Sequence, residues 1–424
     1  MERFLSELHD FKSEIEERIA AYFDFHALRC LNPAAHGSRH DNDSAQRSFA
    51  EFCEQAGEAF GISLLAVDRG ELLTPVDQLF QERIGRIAQA IASSGSTAVH
   101  GPRVEAIRQR LDNLRADRNR RCASLFAELK PHAVAQRPDL SYLAAGEGDT
   151  PVVLINALGQ GLVYWARLFD ALARRQRVVI WEPRGVASAS DLTIEDHVTD
   201  LERILDHEGA SRCRLVAWCT GPKVALELCR RRPTAVESMV FLNPSLKGPG
   251  LSDNLDSTYE RTLQQLCELV DRRPDMAEFV RNALRDSMAK QMEQDESSFP
   301  LAAVSAMNAG LMERVLDPFR SEASTLSYCR QLLDFWSHDA TAPAASVAAP
   351  VLIVAAEFDE VASPAMAKAA RDLMPAADYV EVRGATHYCL YDRPEMVADL
   401  IEGFFRRAVV PAIESHREPM LVNE

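Results

Sequence analysis

The sequence predicts an α/β fold built on a mostly parallel, doubly wound sheet, with a helical N-terminal region and a helical lid insertion. After about residue 140, short apolar runs rich in Val, Ile and Leu alternate with helix-length segments. Several of these runs are apolar throughout, as strands covered by helices on both faces must be. Such alternation is typical of parallel strands joined by crossover helices.

Six strand candidates support this fold, and segments with helical spacing lie between them. They are PVVLINAL (151–158), RVVIWEP (177–183), RLVAW (214–218), SMVFLNP (238–244), PVLIVAAE (350–357) and DYVEVRG (378–384). Residues 246–348 interrupt the alternation with helical segments and no clear strand. We interpret this segment as a lid, or cap, inserted between two strands of the sheet.

The chain is expected to divide into a helical domain over residues 1–139 and an α/β domain over 140–424. Between residues 4 and 23, apolar residues recur at intervals of three and four, so one face of that segment is apolar. A polar loop is predicted over 32–46. Further helices are predicted over 47–60, 75–93 and 102–129.

Length and charge limit the classes of function. The 424 residues suffice for one large α/β domain and a smaller appendage. A net charge of −16 argues against general binding to nucleic acids or anionic membranes. No apolar run approaches the roughly 20 residues that a membrane helix requires. We therefore expect neither a nucleic-acid nor a membrane partner.

The nine cysteines indicate a reducing compartment. Their number is odd and no Cys-x-x-Cys pair occurs, so neither a disulfide scaffold nor a zinc site is expected. The first residues, MERFLSELHDFK, mix charges with apolar residues and lack the core of a signal peptide. We expect a cytoplasmic protein that itself binds no metal or cofactor.

The segment RLVAWCTGPKVAL (214–226) has the pattern of a strand, a sharp turn and a helix, with Cys219 at the turn. Nucleophile elbows are commonly written Gly-x-Ser-x-Gly, with small residues where the strand and helix backbones come close. Gly221 keeps the second glycine, and Ala217 replaces the first. Cys219 is therefore the candidate nucleophile.

Asp359 and His387 complete a candidate triad. Each follows the end of a predicted strand, as Cys219 does, and open α/β sheets place their sites beyond the carboxyl ends of strands. Glu357 is an alternative acid, but we expect it to lie on the strand itself. Cys389 and Trp218 are close to these residues in sequence and are interpreted as packing residues.

Residues 140–410 resemble the α/β-hydrolase superfamily. The triad residues follow its chain order, and INALGQG, WEPRGVASAS and GATHYCL match its landmarks in sequence. Within the superfamily, a cysteine nucleophile after a helical N-terminal region resembles the thioesterase-like aminoacyltransferases of nonribosomal peptide biosynthesis, of the syringomycin-pathway type. The resemblance implies transfer of an aminoacyl or acyl group between the phosphopantetheine thiols of carrier proteins.

Each site residue has an expected role. His387 would take the proton of Cys219 and return one to a leaving thiol, while Asp359 would orient the imidazole. The N-terminus of the helix after Cys219 favours a thiolate. The backbone N–H groups of Thr220 and Leu158 are the candidate oxyanion donors.

Sulfur at the elbow favours acyl transfer between thiols. A serine would convert a thioester into an oxygen ester in a downhill step, whereas Cys219 exchanges one thioester for another at nearly constant free energy. Two alternatives remain open, namely a thioesterase or Dieckmann-type cyclase that acts on a carrier-bound chain, and a catalytically silent binding module. An intact Cys-His-Asp set argues against the silent module.

A basic helix is the candidate surface for acyl or peptidyl carrier proteins, which present acidic helices. Residues 103–121 carry seven arginines against three carboxylates, a net charge of +4. A solvated surface would also explain this pattern. The candidate docking residues are Arg108, Arg115, Arg118 and Arg121.

Overall fold

The computed structural model describes most of the chain. The described residues are 2–18, 27–32, 39–68, 71–93, 101–135, 137–184, 192–291, 314–409 and 420–422. They fall into two compact units, one up to Arg120 and the other over Arg121–Gln291 and Gly310–Val422. The division therefore lies inside a long helix, about twenty residues before the boundary that the sequence predicts.

The N-terminal unit contains two strands that the sequence did not predict. Its elements are α1 (Glu2–Arg18), β1 (Leu28–Leu31), α2 (Arg39–Phe60), β2 (Leu64–Val67), α3 (Pro75–Ser93) and the first part of α4 (Gly101–Glu128). β1 and β2, which α2 connects in the chain, pair in parallel. Each strand has only four residues, too few to show a period, so the expectation of a purely helical region was wrong.

The helices of this unit agree with the expected positions except at two ends. α2 begins at Arg39, inside the predicted polar loop. α1 ends at Arg18, and the rest of the predicted segment lies outside the described residues. Asp77 ties α3 to β1, because its buried carboxylate accepts the backbone N–H groups of Thr74 and Arg29, each at 2.8 Å.

The second unit is built on a nine-stranded sheet among the described residues, in the order β11-β10-β9-β8-β7-β5-β6-β4-β3. The strands are β3 (His132–Val134), β4 (Arg137–Ala145), β5 (Val152–Ile155), β6 (Val178–Ile180), β7 (Cys213–Trp218), β8 (Val236–Leu242), β9 (Val351–Phe358), β10 (Ala377–Thr386) and β11 (Met420–Val422). All pairings are parallel except β4 with β6 and β3 with β4. The six predicted strands are confirmed.

Helices flank the sheet as the strand–helix alternation predicts. They are α5 (Ala166–Ala173), α6 (Ile194–Glu208), α7 (Gly221–Arg231), then α8 (Thr258–Arg272), α9 (Ala277–Gln291), α10 (Glu322–Ser337) and α11 (Thr341–Ala345), and finally α12 (Pro364–Leu373), α13 (Cys389–Asp392) and α14 (Pro394–Val409). α8 to α11 form the insertion between β8 and β9, and its described residues contain no strand. The predicted helical lid is therefore confirmed where the structure describes it.

One apolar core joins the sheet to the insertion. Leu215 and Ile353 of the central strands belong to the same buried cluster as Leu263, Cys267 and Leu332 of α8 and α10. The lid helices are thus packed onto the carboxyl-end side of the sheet through apolar side chains. Burial of this kind stabilises by roughly 25 cal/mol per Å² of apolar surface.

Candidate active site

Cys219 occupies a sharp turn between β7 and α7. Its φ is 55°, in the left-handed region that residues other than glycine rarely adopt. The turn is held on both sides, because Cys219 N–H donates to the carbonyl of Leu242 at 3.1 Å and Ser245 N–H donates to the carbonyl of Cys219 at 2.8 Å. Strained backbone that neighbouring structure over-determines is typical of functional sites.

Gly221 is required by the close approach of α7 to β5. A Cβ atom at this position would lie 2.7 Å from the carbonyl oxygen of Ile155 and 3.2 Å from that of Asn156. Ala217 occupies the position of the first glycine of the motif, and its side chain is completely buried. The second small position of the elbow therefore cannot accept a side chain, whereas the first accepts a methyl group.

His387 and Asp359 form a buried pair beside Cys219. Nδ1 of His387 lies 2.8 Å from Oδ2 and 3.0 Å from Oδ1 of Asp359, and both side chains are almost inaccessible to solvent. Burial opposes a charge on His387, but the negative charges of Asp359 and Cys219 and hydrogen bonds to both raise its pKa to about 10. The buried carboxylate of Asp359 thus favours the protonated form of the imidazole that lies beside Cys219.

The acid is positioned by more than the histidine. Asp359 Oδ1 accepts the backbone N–H groups of Val361 at 2.9 Å and Ala362 at 2.8 Å. The alternative acid, Glu357, lies on β9 as expected. The turn after β9 therefore fixes the carboxylate of Asp359 in the orientation that meets His387.

Asn243 is a buried residue of the site that the sequence did not reveal. Its Nδ2 donates to Asp359 Oδ2 at 2.8 Å, and its Oδ1 accepts the thiol of Cys389 at 2.9 Å. Asn243 follows β8 with a φ of 48°, another left-handed residue that is not glycine. Cys389 is fully buried, so it packs as expected, but it also belongs to this hydrogen-bond chain.

Leu158 and Thr220, the candidate oxyanion donors, are bonded to each other. The backbone N–H of Leu158 donates to Thr220 Oγ1 at 2.9 Å, and both residues are buried. An oxyanion would therefore have to displace this bond or be stabilised by the hydroxyl itself. Asn156 holds the loop, since its Oδ1 accepts Ala157 N–H at 2.9 Å and Trp165 Nε1–H at 2.8 Å.

These residues line one pocket of the second unit, with a volume of about 50 Å³. Cys219, Thr220, Leu158 and His387 form its floor. Trp218 also lines it and donates Nε1–H to the carbonyl of His387 at 3.0 Å, so this buried residue contacts the site as well as the core. The insertion contributes the other wall, which consists of Tyr259, Glu260, Leu263, Val315, Tyr328, Leu332 and Trp336.

The arginines of α4 are mostly engaged within the chain. Arg108 pairs with Glu105 and Asp112, and Arg121 pairs with Asp170 at 2.5 Å. Arg115 also has an interaction partner, and the side chain of Arg118 lies outside the described residues. The positive charge that the sequence shows on this helix is therefore partly neutralised in the fold.

The part of the chain that the structure describes contains neither a cluster of metal ligands nor an apolar helix of membrane-spanning length. No group of three or more His, Cys, Asp or Glu side chains is arranged to hold a metal ion there. Nor does any described helix have the length and apolarity to cross a membrane.

The chain is similar to known proteins over its second unit. The profile of the alpha/beta hydrolase fold family matches residues 150–394. A protein named as a carbamate hydrolase, RutD, from Azorhizobium caulinodans is 22% identical over 278 residues, which cover 65% of this chain and 97% of that protein. A protein named as a non-heme bromoperoxidase, BpoC, from Mycobacterium tuberculosis is 23% identical over 272 residues, with coverages of 63% and 97%.

Solved structures agree on the fold. The crystal structure of a bromoperoxidase from Bacillus anthracis has a TM-score of 0.50 at 16% identity, and the match covers 66% of this chain and 100% of that one. At this identity the likeness shows the fold alone. Because the family profile matches more than half of the sequence, the protein belongs to the alpha/beta hydrolase fold family.

Proposed function

We propose that this enzyme of the alpha/beta hydrolase type is an acyltransferase that acts through a thioester on Cys219. It would move an aminoacyl or other acyl group between the phosphopantetheine thiols of two carrier proteins in natural-product biosynthesis. The observation that carries the proposal is the thiol at the elbow, paired with a buried histidine whose pKa is raised to about 10.

The chemistry proceeds in two symmetrical steps. The Cys219 thiolate attacks the carbonyl carbon of the donor thioester, the C–S bond to the donor breaks, and His387 gives its proton to the leaving thiolate. The acceptor thiol then returns a proton to His387 and attacks the Cys219 thioester. Each step exchanges one thioester for another, so the group moves reversibly with little loss of free energy.

Hydrolysis is the second candidate. The relatives named above include a carbamate hydrolase, and water can replace the acceptor thiol in the second step without any other change of residues. Ring closure by a carbon nucleophile of a carrier-bound chain would use the same acyl-enzyme.

The proposed partners are carrier proteins, with neither nucleic acid nor a membrane involved and no cofactor bound by the enzyme. Arg108 and Arg121 of α4 are the proposed docking residues, because exposed ion pairs contribute only about 0–1 kcal/mol and exchange readily with a partner's carboxylates. The nine cysteines are all free thiols, which supports a reducing cytoplasm.

The test of this function is the fate of the acyl group in Cys219→Ser. A donor carrier bearing labelled alanine is mixed with an unloaded acceptor carrier, and label on the acceptor is compared with label lost to water. Wild type should transfer more than it hydrolyses, and Cys219→Ser should reverse that ratio. Cys122→Ser, which changes a half-exposed cysteine of α4, is the matched control. Equal ratios in wild type and Cys219→Ser would contradict the sulfur argument.

A further inference from the structure

Glu260 is a buried carboxylate in the wall of the candidate active site. Only 4% of it is exposed, and it faces a pocket otherwise walled on the lid side by Tyr259, Leu263, Tyr328 and other apolar or aromatic residues. Among the described residues that line the pocket, it is the only carboxylate. A buried charge is costly unless it is paired, so this position calls for a partner.

Hydrogen bonds connect Glu260 to the candidate nucleophile through one intervening residue, Ser245. Ser245 donates its backbone N–H to the carbonyl of Cys219 at 2.8 Å, and the same serine donates its hydroxyl to Oε1 of Glu260 at 2.5 Å. Ser245 itself lines the pocket. Ser245 therefore ties the carboxylate to the backbone of the nucleophile turn, and Glu260 and Cys219 line the same pocket.

The chain supplies no ion pair for Glu260 within the residues that the structure describes. Lys247 forms its ion pair with Asp256, although its charge also favours the ionised form of Glu260. Burial raises the pKa of Glu260, although its hydrogen bonds from Ser245 and Ser257 lower it. A cation delivered with the substrate would complete the pairing and stabilise the ionised form.

Helix capping accounts for only part of this arrangement. Ser257 and Glu260 form a capping box at the start of α8, in which Ser257 N–H donates to Glu260 Oε2 at 3.1 Å. A capping box is satisfied by Gln as well as Glu, so it does not require a charge. α6 has the same motif with Asp196, which does not line this pocket.

We propose that Glu260 binds the ammonium group of the acyl chain carried on Cys219, so that the site selects α-aminoacyl thioesters over acyl groups that lack the amine. An ammonium on the carbon next to the thioester carbonyl would meet Glu260 and the hydroxyl of Ser245. The rings of Tyr259 and Tyr328 in the same wall would add cation–π attraction. This inference rests on the proposed function in one respect: the ammonium group is taken to belong to an acyl donor of the transferase.

The charge beside Cys219 is measurable without any enzymatic turnover. Methanethiosulfonate reagents transfer a sulfenyl group to a thiolate, which forms a disulfide and releases methanesulfinate. We compare the rate constants at Cys219 for the cationic aminoethyl reagent and the neutral methyl reagent, using peptide mass spectrometry to separate Cys219 from the other thiols. The ratio cancels changes in the nucleophilicity of Cys219.

Glu260→Gln should lower the cationic-to-neutral ratio roughly tenfold, because it removes a charge from a poorly solvated site. Asp196→Asn, the same chemical change in the capping box of α6, should leave the ratio within about twofold of wild type. A ratio in Glu260→Gln equal to that of wild type would overturn the proposal and leave Glu260 a capping residue.

Wild-type protein provides a second readout if Glu260→Gln fails to fold. Alaninamide and propionamide differ chiefly in the α-ammonium group, and each is tested for protection of Cys219 against the neutral reagent. Alaninamide should protect at a concentration at least about fivefold lower. Equal protection by the two amides would overturn the proposal.

A comparison of two acyl donors distinguishes a failure of this inference from a failure of the proposed acyl transfer. Alanyl and propionyl thioesters are compared as donors, and Glu260→Gln should reduce the alanyl preference in kcat/KM about tenfold. Transfer with an unchanged preference would overturn the role of Glu260 and keep the transferase. No acylation by either donor, together with the predicted labelling ratio, would overturn the transferase and keep the ammonium site.

Discussion

The side-chain amide of Asn243 donates a hydrogen bond of 2.8 Å to Oδ2 of Asp359, and the same oxygen lies 2.8 Å from Nδ1 of His387. The two residues are 116 positions apart in the sequence and meet because β8 and β9 are neighbours in the sheet. The amide therefore positions the acid of the candidate triad. Its other end accepts the thiol of Cys389, so the amide orientation is itself fixed.

Replacing Asn243 tests this positioning role. Asn243→Gly keeps the left-handed backbone but removes the amide, and a hydrogen bond to a charged group is worth about 1.5–3 kcal/mol. We expect kcat for acylation of Cys219 to fall about tenfold or more, with KM nearly unchanged. Asn243→Asp should be worse, since it places a second carboxylate against Asp359. A kcat in Asn243→Gly equal to that of wild type would show that the amide does not position Asp359 for catalysis.

The stability of the protein should depend on the proton of His387. The pKa of this histidine is raised to about 10, above the value of about 6.5 expected when unfolded. The stabilisation is therefore complete below about pH 6.5 and is lost as pH rises through about 10. Urea unfolding of wild type should show a free energy that falls between pH 7 and 9.5.

The control for that titration is Asp359→Asn, which removes the carboxylate that favours the charged imidazole. Its free energy of unfolding should be lower at pH 7 and should fall less steeply with pH. The gap to wild type should narrow by the order of 2 kcal/mol by pH 9.5. If the unfolding free energies of the two proteins changed with pH in parallel, Asp359 would not be the group that raises the pKa of His387.

Thr220 tests the arrangement of the oxyanion donors. Its hydroxyl accepts the N–H of Leu158 at 2.9 Å and so keeps its own proton available for an oxyanion. Thr220→Val should lower kcat by about tenfold to a hundredfold, whereas Thr220→Ser should stay near wild type. A faster Thr220→Val would show instead that the hydroxyl competes for the amide of Leu158.

Gly221 tests the packing of the elbow. Gly221→Ala would press a methyl group against the carbonyl of Ile155 at 2.7 Å, and overpacking of this kind costs typically about 1–3 kcal/mol. Gly403→Ala on α14 meets nothing within 4 Å and should be neutral or stabilising by roughly 0.5–1 kcal/mol. Thermal unfolding compares the two variants, and equal melting temperatures would contradict the close approach.

The sequence was sufficient for the elements whose pattern is strong. Apolar runs of four to eight residues revealed the parallel strands, and the elbow motif with its chain order indicated Cys219, Asp359 and His387 as candidates. β3 and β11, the two edge strands, were missed because each has only three residues, and β4 was missed because exposed residues interrupt its apolar pattern. β1 and β2 were missed because four residues show no periodicity.

Relations between distant residues were beyond the sequence. The role of Asn243 depends on a left-handed backbone and on the pairing of β8 with β9, and neither leaves a signal in a single chain. The bond between Leu158 and Thr220 spans 62 positions. The seven arginines of α4 suggested a free basic surface, but pairs such as Arg121 with Asp170 involve acids outside the helix.

The measurement that tests the central claim most directly is capture and release of the acyl group on Cys219. The enzyme is incubated with an alanyl carrier thioester, its mass is recorded intact, and an unloaded carrier is then added. We predict an alanyl adduct on Cys219 that disappears as the second carrier gains the same mass, with no adduct in Cys219→Ala. An enzyme that remains unacylated, or an adduct that the second carrier does not discharge faster than water does, would contradict the account.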